Sequence, residues 1–372
     1  MTRSDPVVAI AHDYLTQRGG AERVVLAMHR TFPAAKIYTT LYDPEGTYPE
    51  FREANIVTSA LNRIPALRRD HRAALPFLAP ASSALKVPAD IVLASSSGWA
   101  HGFDTDGQML VYCHSPARWL YLTDQYLGAG RQRGAKALAL AALKPFLIRW
   151  DRRSAAMADK YVANSTIVQD RIRRVYGKTV DVVHPPHSVD IQGIREPIPG
   201  LEDFIVGGGH FLTVSRLLPY KNVDQAVEAF RGLDDKLLVI GAGPMAEKLR
   251  ANMPDNVRLA SHLSDAQMRW AYASAKAVIA PSYEDFGITP LEGGAWGKPT
   301  IALRAGGYLD TIVEGVTGQF IEEPTAALIR QAVESFRAEV WNADVIRKHT
   351  EQFSEERFRE RLRQEVLGLV RA

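Results

Sequence analysis

Short apolar runs, separated by longer stretches with helical spacing, constrain this chain more than any other feature. Val7–Ala11 leads into Ala21–Phe32, where Val24, Val25, Met28 and Phe32 recur at helical intervals. Ile91–Ser95, Leu110–His114, Tyr161–Asn164 and Val180–His184 are further strand candidates. Beyond Pro197 and Pro199 the pattern restarts with Phe211–Ser215, Leu237–Gly241, Val257–Ala260, Ala277–Pro281 and Thr300–Leu303. Continuous apolar runs between helices are what parallel strands covered on both faces require. The expected class is α/β, with two doubly wound, Rossmann-like units.

Length agrees, because 372 residues exceed one ordinary core and suit two domains of ~150–200 residues. Pro197, Pro199-Gly200 and Gly207-Gly208-Gly209 read as a linker, which sets the expected boundary within 195–209. In the tail, Phe353, Phe358, Leu362, Val366 and Leu369 share one apolar helical face.

Composition narrows the function classes. A net charge of +3 is too weak to imply nucleic acid as a partner. The single cysteine, Cys113, cannot form an internal disulfide, so a reducing, cytoplasmic setting is expected. The polar start Met1–Pro6 does not read as a signal peptide, and no apolar stretch reaches the ~20 residues of a membrane span. Any membrane contact is therefore expected to be peripheral. Arg131, Arg133, Lys136, Lys144, Arg149, Arg152 and Arg153 decorate a largely apolar helical stretch that could lie on the inner, anionic membrane face. A core-packed helix with a solvated face is the alternative.

Ligands of doubly wound sheets bind beyond the C-terminal strand ends, so the residues there carry the functional reading. The first strand ends at His12-Asp13, and Gly19-Gly20 precede a helix whose free N–H groups could meet an anion; a plain strand-to-helix turn is the alternative. Arg216 and Lys221 flank a proline turn after Phe211–Ser215 and could stabilise a departing diphosphate. Gly241-Ala242-Gly243-Pro244-Met245-Ala246 matches a dinucleotide fingerprint, but the next strand ends without the acidic residue such a site needs. It reads as a tight turn near the ligand, with Gly243 beside it. Pro281–Glu292 leaves a strand, crosses a loop containing Gly287 and enters a helix. Glu284 could accept hydrogen bonds from sugar hydroxyls and Glu292 from a ribose diol. Alternatively, Thr289-x-x-Glu292 is a capping box. His114 ends a first-domain strand and could bond a sugar hydroxyl or serve structurally. Asp104-Thr105-Asp106 reads as a turn, and neither zinc spacing nor a phosphate-binding P-loop is present, so no metal is expected.

Glu284–Glu292 resembles the E-x7-E motif of the family-4 retaining glycosyltransferases of the GT-B fold, including its internal Phe286-Gly287 and Pro290-x-Glu292. Val214-Ser215-Arg216-Leu217 with Lys221, Gly19-Gly20-Ala21-Glu22, Cys113-His114-Ser115-Pro116, Ala163–Thr166 and the late Gly306-Gly307 loop with Glu314 resemble further segments of that family. The resemblance covers nearly the whole chain and looks nearest to bacterial mannosyltransferase-like enzymes. It implies two Rossmann-like domains facing across a cleft: 1–200 for the acceptor, 201–345 for the donor, and a helix in 346–372 returning to the first domain. It implies that Arg216 and Lys221 bind the donor diphosphate, Glu284 the sugar and Glu292 the ribose. Gly19 and Gly20 would approach the phosphate, His114 the transferred sugar, and His262 and Leu263 the base. The implied donor is a GDP- or UDP-linked hexose such as mannose, with no cofactor. The implied acceptor is a saccharide or lipid-linked glycan. A sugar-nucleotide epimerase and a non-catalytic nucleotide-sugar binder remain as alternatives.

Overall fold

The structure is a computed structural model that describes residues 6–71, 73–122, 135–205 and 209–371; within 135–141 and at 371 it describes the backbone alone. The chain forms two compact units, 1–186 with 355–372, and 187–354.

The first unit holds a parallel sheet of seven strands: β1 (Val8–His12), β2 (Ile37–Thr39), β3 (Ile56–Thr58), β4 (Ile91–Ser96), β5 (Gln108–Cys113), β6 (Lys160–Ala163) and β7 (Asp181–Val182). Their order is β3-β2-β1-β4-β5-β6-β7, so the direction of winding reverses between β1 and β4. The second unit repeats the plan with β8 (His210–Val214), β9 (Leu237–Ile240), β10 (Val257–Ala260), β11 (Ala275–Ala280), β12 (Thr300–Leu303) and β13 (Gly318–Ile321), ordered β10-β9-β8-β11-β12-β13. Its reversal lies between β8 and β11. At such a reversal the two connections leave toward opposite faces, which opens a crevice at the C-terminal strand ends.

Side-chain alternation divides each sheet between two cores. Ile10, Ile91, Leu93, Leu110 and Tyr112 face the helix Gly20–Thr31, while Ala9, Ala11, Val92, Ala94 and Val111 face the other side. The last helix, Glu355–Arg371, adds Phe358, Leu362, Val366 and Leu369 to the first of these cores. Four fully buried side chains of this size contribute roughly 6–12 kcal/mol of gross hydrophobic burial, before conformational entropy is subtracted.

The segment expected to be a linker is a packed part of the second unit. Ile198 and Ile205 are buried, and with Leu201 and Phe204 they pack against Leu212 and Leu238. The division between units therefore falls earlier, after Pro186. Gly207 and Gly208 lie outside the described residues, as do Arg131 and Arg133 and the side chain of Lys136. Among the described residues, no helix is long and apolar enough to cross a membrane.

Candidate functional site

In the second unit, the site is built where β8 and β11 end side by side. After β8 the chain passes through Ser215–Leu218 into a single 3-10 turn, Pro219–Lys221. Asn222 follows with φ of 54°, a left-handed conformation that asparagine tolerates better than most residues. Its Nδ2 donates to the Pro281 carbonyl at 3.0 Å, which ties this turn to the end of β11. The turn places the Lys221 ammonium at 7% exposure, where a cation is costly unless paired. Its partner is Glu284, whose Oε1 accepts from Lys221 Nζ and also from Ser282 Oγ at 2.7 Å. The Glu284 side chain is 24% exposed, and its Oε2 has no partner among the described residues. Arg216 is exposed and donates from Nη2 to the Tyr220 hydroxyl at 3.2 Å. Lys221 Nζ lies 5.1 Å from the centre of the same tyrosine ring. Tyr220 thus touches both cations, and the turn presents one buried and one exposed positive charge.

The Glu284 loop is held from below. Gly307 N donates to the Glu284 carbonyl at 2.9 Å, and the Ser282 and Tyr308 hydroxyls are 3.2 Å apart. Burial, with the neighbouring Glu284 charge, pushes the Tyr308 phenol well above its usual value, so it stays neutral. Gly287 turns the loop at φ of 80°, and a Cβ there would stand 2.4 Å from the Tyr308 ring. Glu292 lies in the helix Thr289–Ala295, with Pro290 in its first turn. The capping box considered for Thr289 and Glu292 does not form, because Ile288 occupies the N-cap. Instead, Glu292 Oε2 accepts from the Tyr272 hydroxyl at 2.7 Å.

The Gly241–Met245 turn packs on the Arg216 loop: Leu217 N donates to Ala242 O at 2.9 Å, and Met245 N to Leu217 O at 3.2 Å. Gly243, at φ of 154°, is required there because a Cβ would meet Leu217 O at 2.5 Å. His262 follows β10 in a left-handed conformation, φ 56°. Leu263 packs at the edge of the Leu212–Leu238 core, and Ser264 is committed to a capping box with Gln267. Glu314 is held by Arg304 in an exposed ion pair.

In the first unit, β1, β4 and β5 end together. His12 and His114 are both buried there. Ser95 Oγ lies 3.1 Å from His12 Nδ1 and 2.8 Å from His114 Nε2. Burial, the nearby His12 and Arg118 hold the His114 pKa down to about 3. Burial also opposes charge on His12, but the Glu22 and Asp13 carboxylates outweigh it and raise its pKa. Asp13 accepts backbone hydrogen bonds from Ser97, Trp99 and Ala100 at 2.6, 3.0 and 2.7 Å. Gly20 opens the helix Gly20–Thr31 with nothing within 4 Å of where its Cβ would stand. The Cβ of Gly19 would meet Glu22 Oε2 at 2.5 Å, so Gly19 makes room for the folded-back Glu22. His184 bonds the Asn164 carbonyl at 3.2 Å, in keeping with a structural role.

Sequence reasoning did not find Ser95, Tyr220, Ser282 or Tyr308. The available signal for Ser95 was a hydroxyl closing an apolar strand run. Its partners follow only from the register that sets Ser95 beside His12 and next to β5. Among the described residues, no group of three or more His, Cys, Asp or Glu is placed to hold a metal ion.

Two Rossmann-like sheets, each with charged and polar groups gathered at its winding reversal, define the GT-B architecture. Residues 206–353 match the family described as glycosyl transferases group 1, and residues 18–191 match glycosyltransferase family 4. The chain belongs to the family-4 glycosyltransferases of the GT-B fold. It is 27% identical to alpha-1,3/1,6-mannosyltransferase ALG2 of Mus musculus, an alignment covering 95% of this chain and 94% of that protein. It is 28% identical to D-rhamnosyltransferase WbpZ of Pseudomonas aeruginosa over 55% of this chain and 54% of that one. Among solved structures, sucrose-phosphate synthase from Thermosynechococcus elongatus superposes with a TM-score of 0.71 at 17% identity, covering 98% of this chain and 99% of that one. Anabaena HepE in complex with UDP-glucose gives 0.68 at 15% identity, covering 97% and 100%. The protein is a glycosyltransferase.

Proposed function

We propose that this glycosyltransferase moves a hexose, mannose foremost, from a nucleotide diphosphate sugar to a glycan or lipid-linked acceptor with retention of anomeric configuration and without a divalent ion. The observation that carries this reading is the Lys221–Glu284 pair at the β8/β11 reversal, with Arg216 on the same turn. A departing diphosphate gains negative charge as the glycosidic bond breaks, and a preorganised ammonium and guanidinium stabilise it most where water is scarce. Lys221 has three donors and gives one to Glu284, so it can also meet a phosphate oxygen. Glu284 Oε2 is then free to accept from sugar hydroxyls, while Glu292 reads the ribose. The acceptor attacks from the face the diphosphate leaves, and its proton passes to the departing diphosphate. Support for mannose comes from the mannosyltransferase relative, which aligns over nearly its full length.

The test is incubation of the purified protein with GDP-mannose and with UDP- and ADP-sugars, in EDTA, with NMR of the product. Consumption of GDP-mannose and an α-linked product from the α-linked donor are expected. Inversion at the anomeric carbon or dependence on added divalent ion would contradict the mechanism, and an isomerised free sugar without acceptor would indicate an epimerase.

A lipid-linked acceptor is favoured by exposed side chains on three helices of the first unit. The helices Pro65–Arg69, Leu75–Ala84 and Ala135–Met157 share a small core of Leu67, Leu75, Leu78 and Leu147. Outside that core they and the turn before them expose both apolar side chains, Ile64, Phe77 and Phe146, and cations, Arg63, Arg69 and Arg149. Exposed apolar side chains among cations suit an anionic bilayer surface. Co-sedimentation with phosphatidylglycerol vesicles is expected, weakened in Phe77→Ser/Phe146→Ser; binding indifferent to anionic lipid would remove this part of the reading.

A further inference from the structure

At the β1/β4 reversal, four buried side chains stand in line: Glu22, His12, Ser95 and His114. The direction of the hydrogen bonds along this line can be deduced. His12 Nδ1 lies 3.1 Å from the Ser95 carbonyl oxygen as well as 3.1 Å from Ser95 Oγ. A carbonyl oxygen only accepts, so His12 Nδ1 carries a proton, whether the ring is neutral or charged. Ser95 Oγ lies within reach of that same N–H and accepts from it. Its single proton has no other acceptor among the described residues, and Ser95 is fully buried, so that proton is directed to His114 Nε2 at 2.8 Å. His114 Nε2 must accept, and the neutral ring therefore holds its proton on Nδ1. His114 Nδ1 has no hydrogen-bond partner among the described residues, and it is not sealed in the core. It is the nitrogen left for a ligand.

We propose that His12 and Ser95 form a positioning relay that locks His114 as the Nδ1–H tautomer, so that His114 meets the transferred sugar as a neutral hydrogen-bond donor and not as a base. The role rests on the proposed function and on the contact between His114 and the transferred sugar that the family resemblance implies. The relay itself does not. Behind it, His12 Nε2 lies 3.9 Å from Glu22 Oε1, a charge contact longer than a hydrogen bond, and His12 Nε2 and Glu22 Oε2 are both buried without a hydrogen-bond partner. Glu22 is held in turn by Gln17 Nε2 at 3.0 Å. Positive charge on His12, favoured by Glu22 and Asp13, opposes a second charge on His114. The Ser95 hydroxyl occupies the one lone pair the His114 ring has, so the ring has no free site to take the acceptor's proton. His114 therefore does not compete with the departing diphosphate for that proton.

Long-range ¹⁵N–¹H spectra of the imidazoles in the full chain, without donor, test the relay directly, with His12 and His114 assigned by His12→Gln and His114→Gln. A neutral His114 protonated on Nδ1 from pH 5 to pH 8 is expected. A His114 protonated on Nε2, or one that titrates in that window, overturns the relay. Ser95→Ala should release the tautomer and lower kcat by about tenfold or more with little change in KM, the scale of a misplaced contact. Ser95→Thr, which keeps the hydroxyl, should restore both. An unchanged tautomer in a folded Ser95→Ala protein also overturns the relay. Full turnover in His114→Ala, where the unsubstituted protein shows the Nδ1–H tautomer, would instead remove the sugar contact, and with it the role assigned to His114.

Discussion

Lys221→Ala is expected to lower kcat by about 10²–10³-fold, the cost of removing one preorganised electrostatic contact to a charge that grows in the transition state. Among the described residues, the substitution removes the one cation paired with Glu284 and leaves that carboxylate with Ser282. Two effects must then be separated. If Lys221 acts on the diphosphate, kcat should fall more than donor KM rises, because the contact strengthens as the bond breaks. If Lys221 only holds Glu284 in place, Glu284→Gln should reproduce the loss, and Lys221→Ala should add little in the double variant. The proposed role predicts the first pattern, with a further loss in the double variant. Folding is a smaller concern, since Lys221→Ala buries no new charge and Glu284 can reach solvent. Steady-state kinetics with thermal unfolding on the same samples decides the matter; wild-type turnover in a folded Lys221→Ala protein would end the assignment.

The parts of this fold that could be read from sequence are those where local pattern and burial agree. Ile91–Ser96 and Leu237–Ile240 lie inside a sheet, covered on both faces, and therefore appear as continuous apolar runs. Ile37–Thr39 and Ile56–Thr58 escaped because three residues are too few to set a period against their surroundings. Gly318–Ile321 escaped because its glycine and glutamine interrupt the apolar run at an edge position. Residues 195–205 misled in the opposite direction: Pro197, Pro199 and Gly200 carry a linker's composition, yet Ile198 and Ile205 are buried. The candidate site divides similarly. Lys221 and Glu284 stood out as charges at strand ends. That they pair depends on β8 and β11 being neighbours in space despite the intervening β9 and β10, which no local pattern records. Tyr272 displaced the capping-box reading of Glu292 for the same reason, since it comes from another helix. His12 and His114 were visible as strand-end residues, but the serine joining them required the register.

Asp13 carries the largest structural consequence that sequence did not disclose. Its carboxylate, buried at the end of β1, gathers the amides of Ser97, Trp99 and Ala100, and the Ser96 hydroxyl lies 3.4 Å away. These groups follow β4 directly and include the start of the 3-10 turn Ala100–Gly102, so one side chain satisfies donors that a tight turn leaves without backbone partners. Asp13→Ala removes every one of these acceptors, in a place where Trp99 and Ala100 are themselves buried and water has little access. Each orphaned buried amide costs about 1–3 kcal/mol, and relief from burying a carboxylate offsets part of the sum. The expected net loss is about 3–5 kcal/mol, which for a unit of this size lowers Tm by roughly 10 °C. Asp13→Asn should recover only part of it, because the amide group that replaces one oxygen presents hydrogens to N–H groups. Hydrogen exchange should locate the damage, with loss of protection greatest at 97–100 and spreading to β1 and β4. A variant within about 2 °C of wild type would show that the turn finds other acceptors. The defect should also reach the chemistry, because the same stretch of β4 that Asp13 fastens holds Ser95 between His12 and His114.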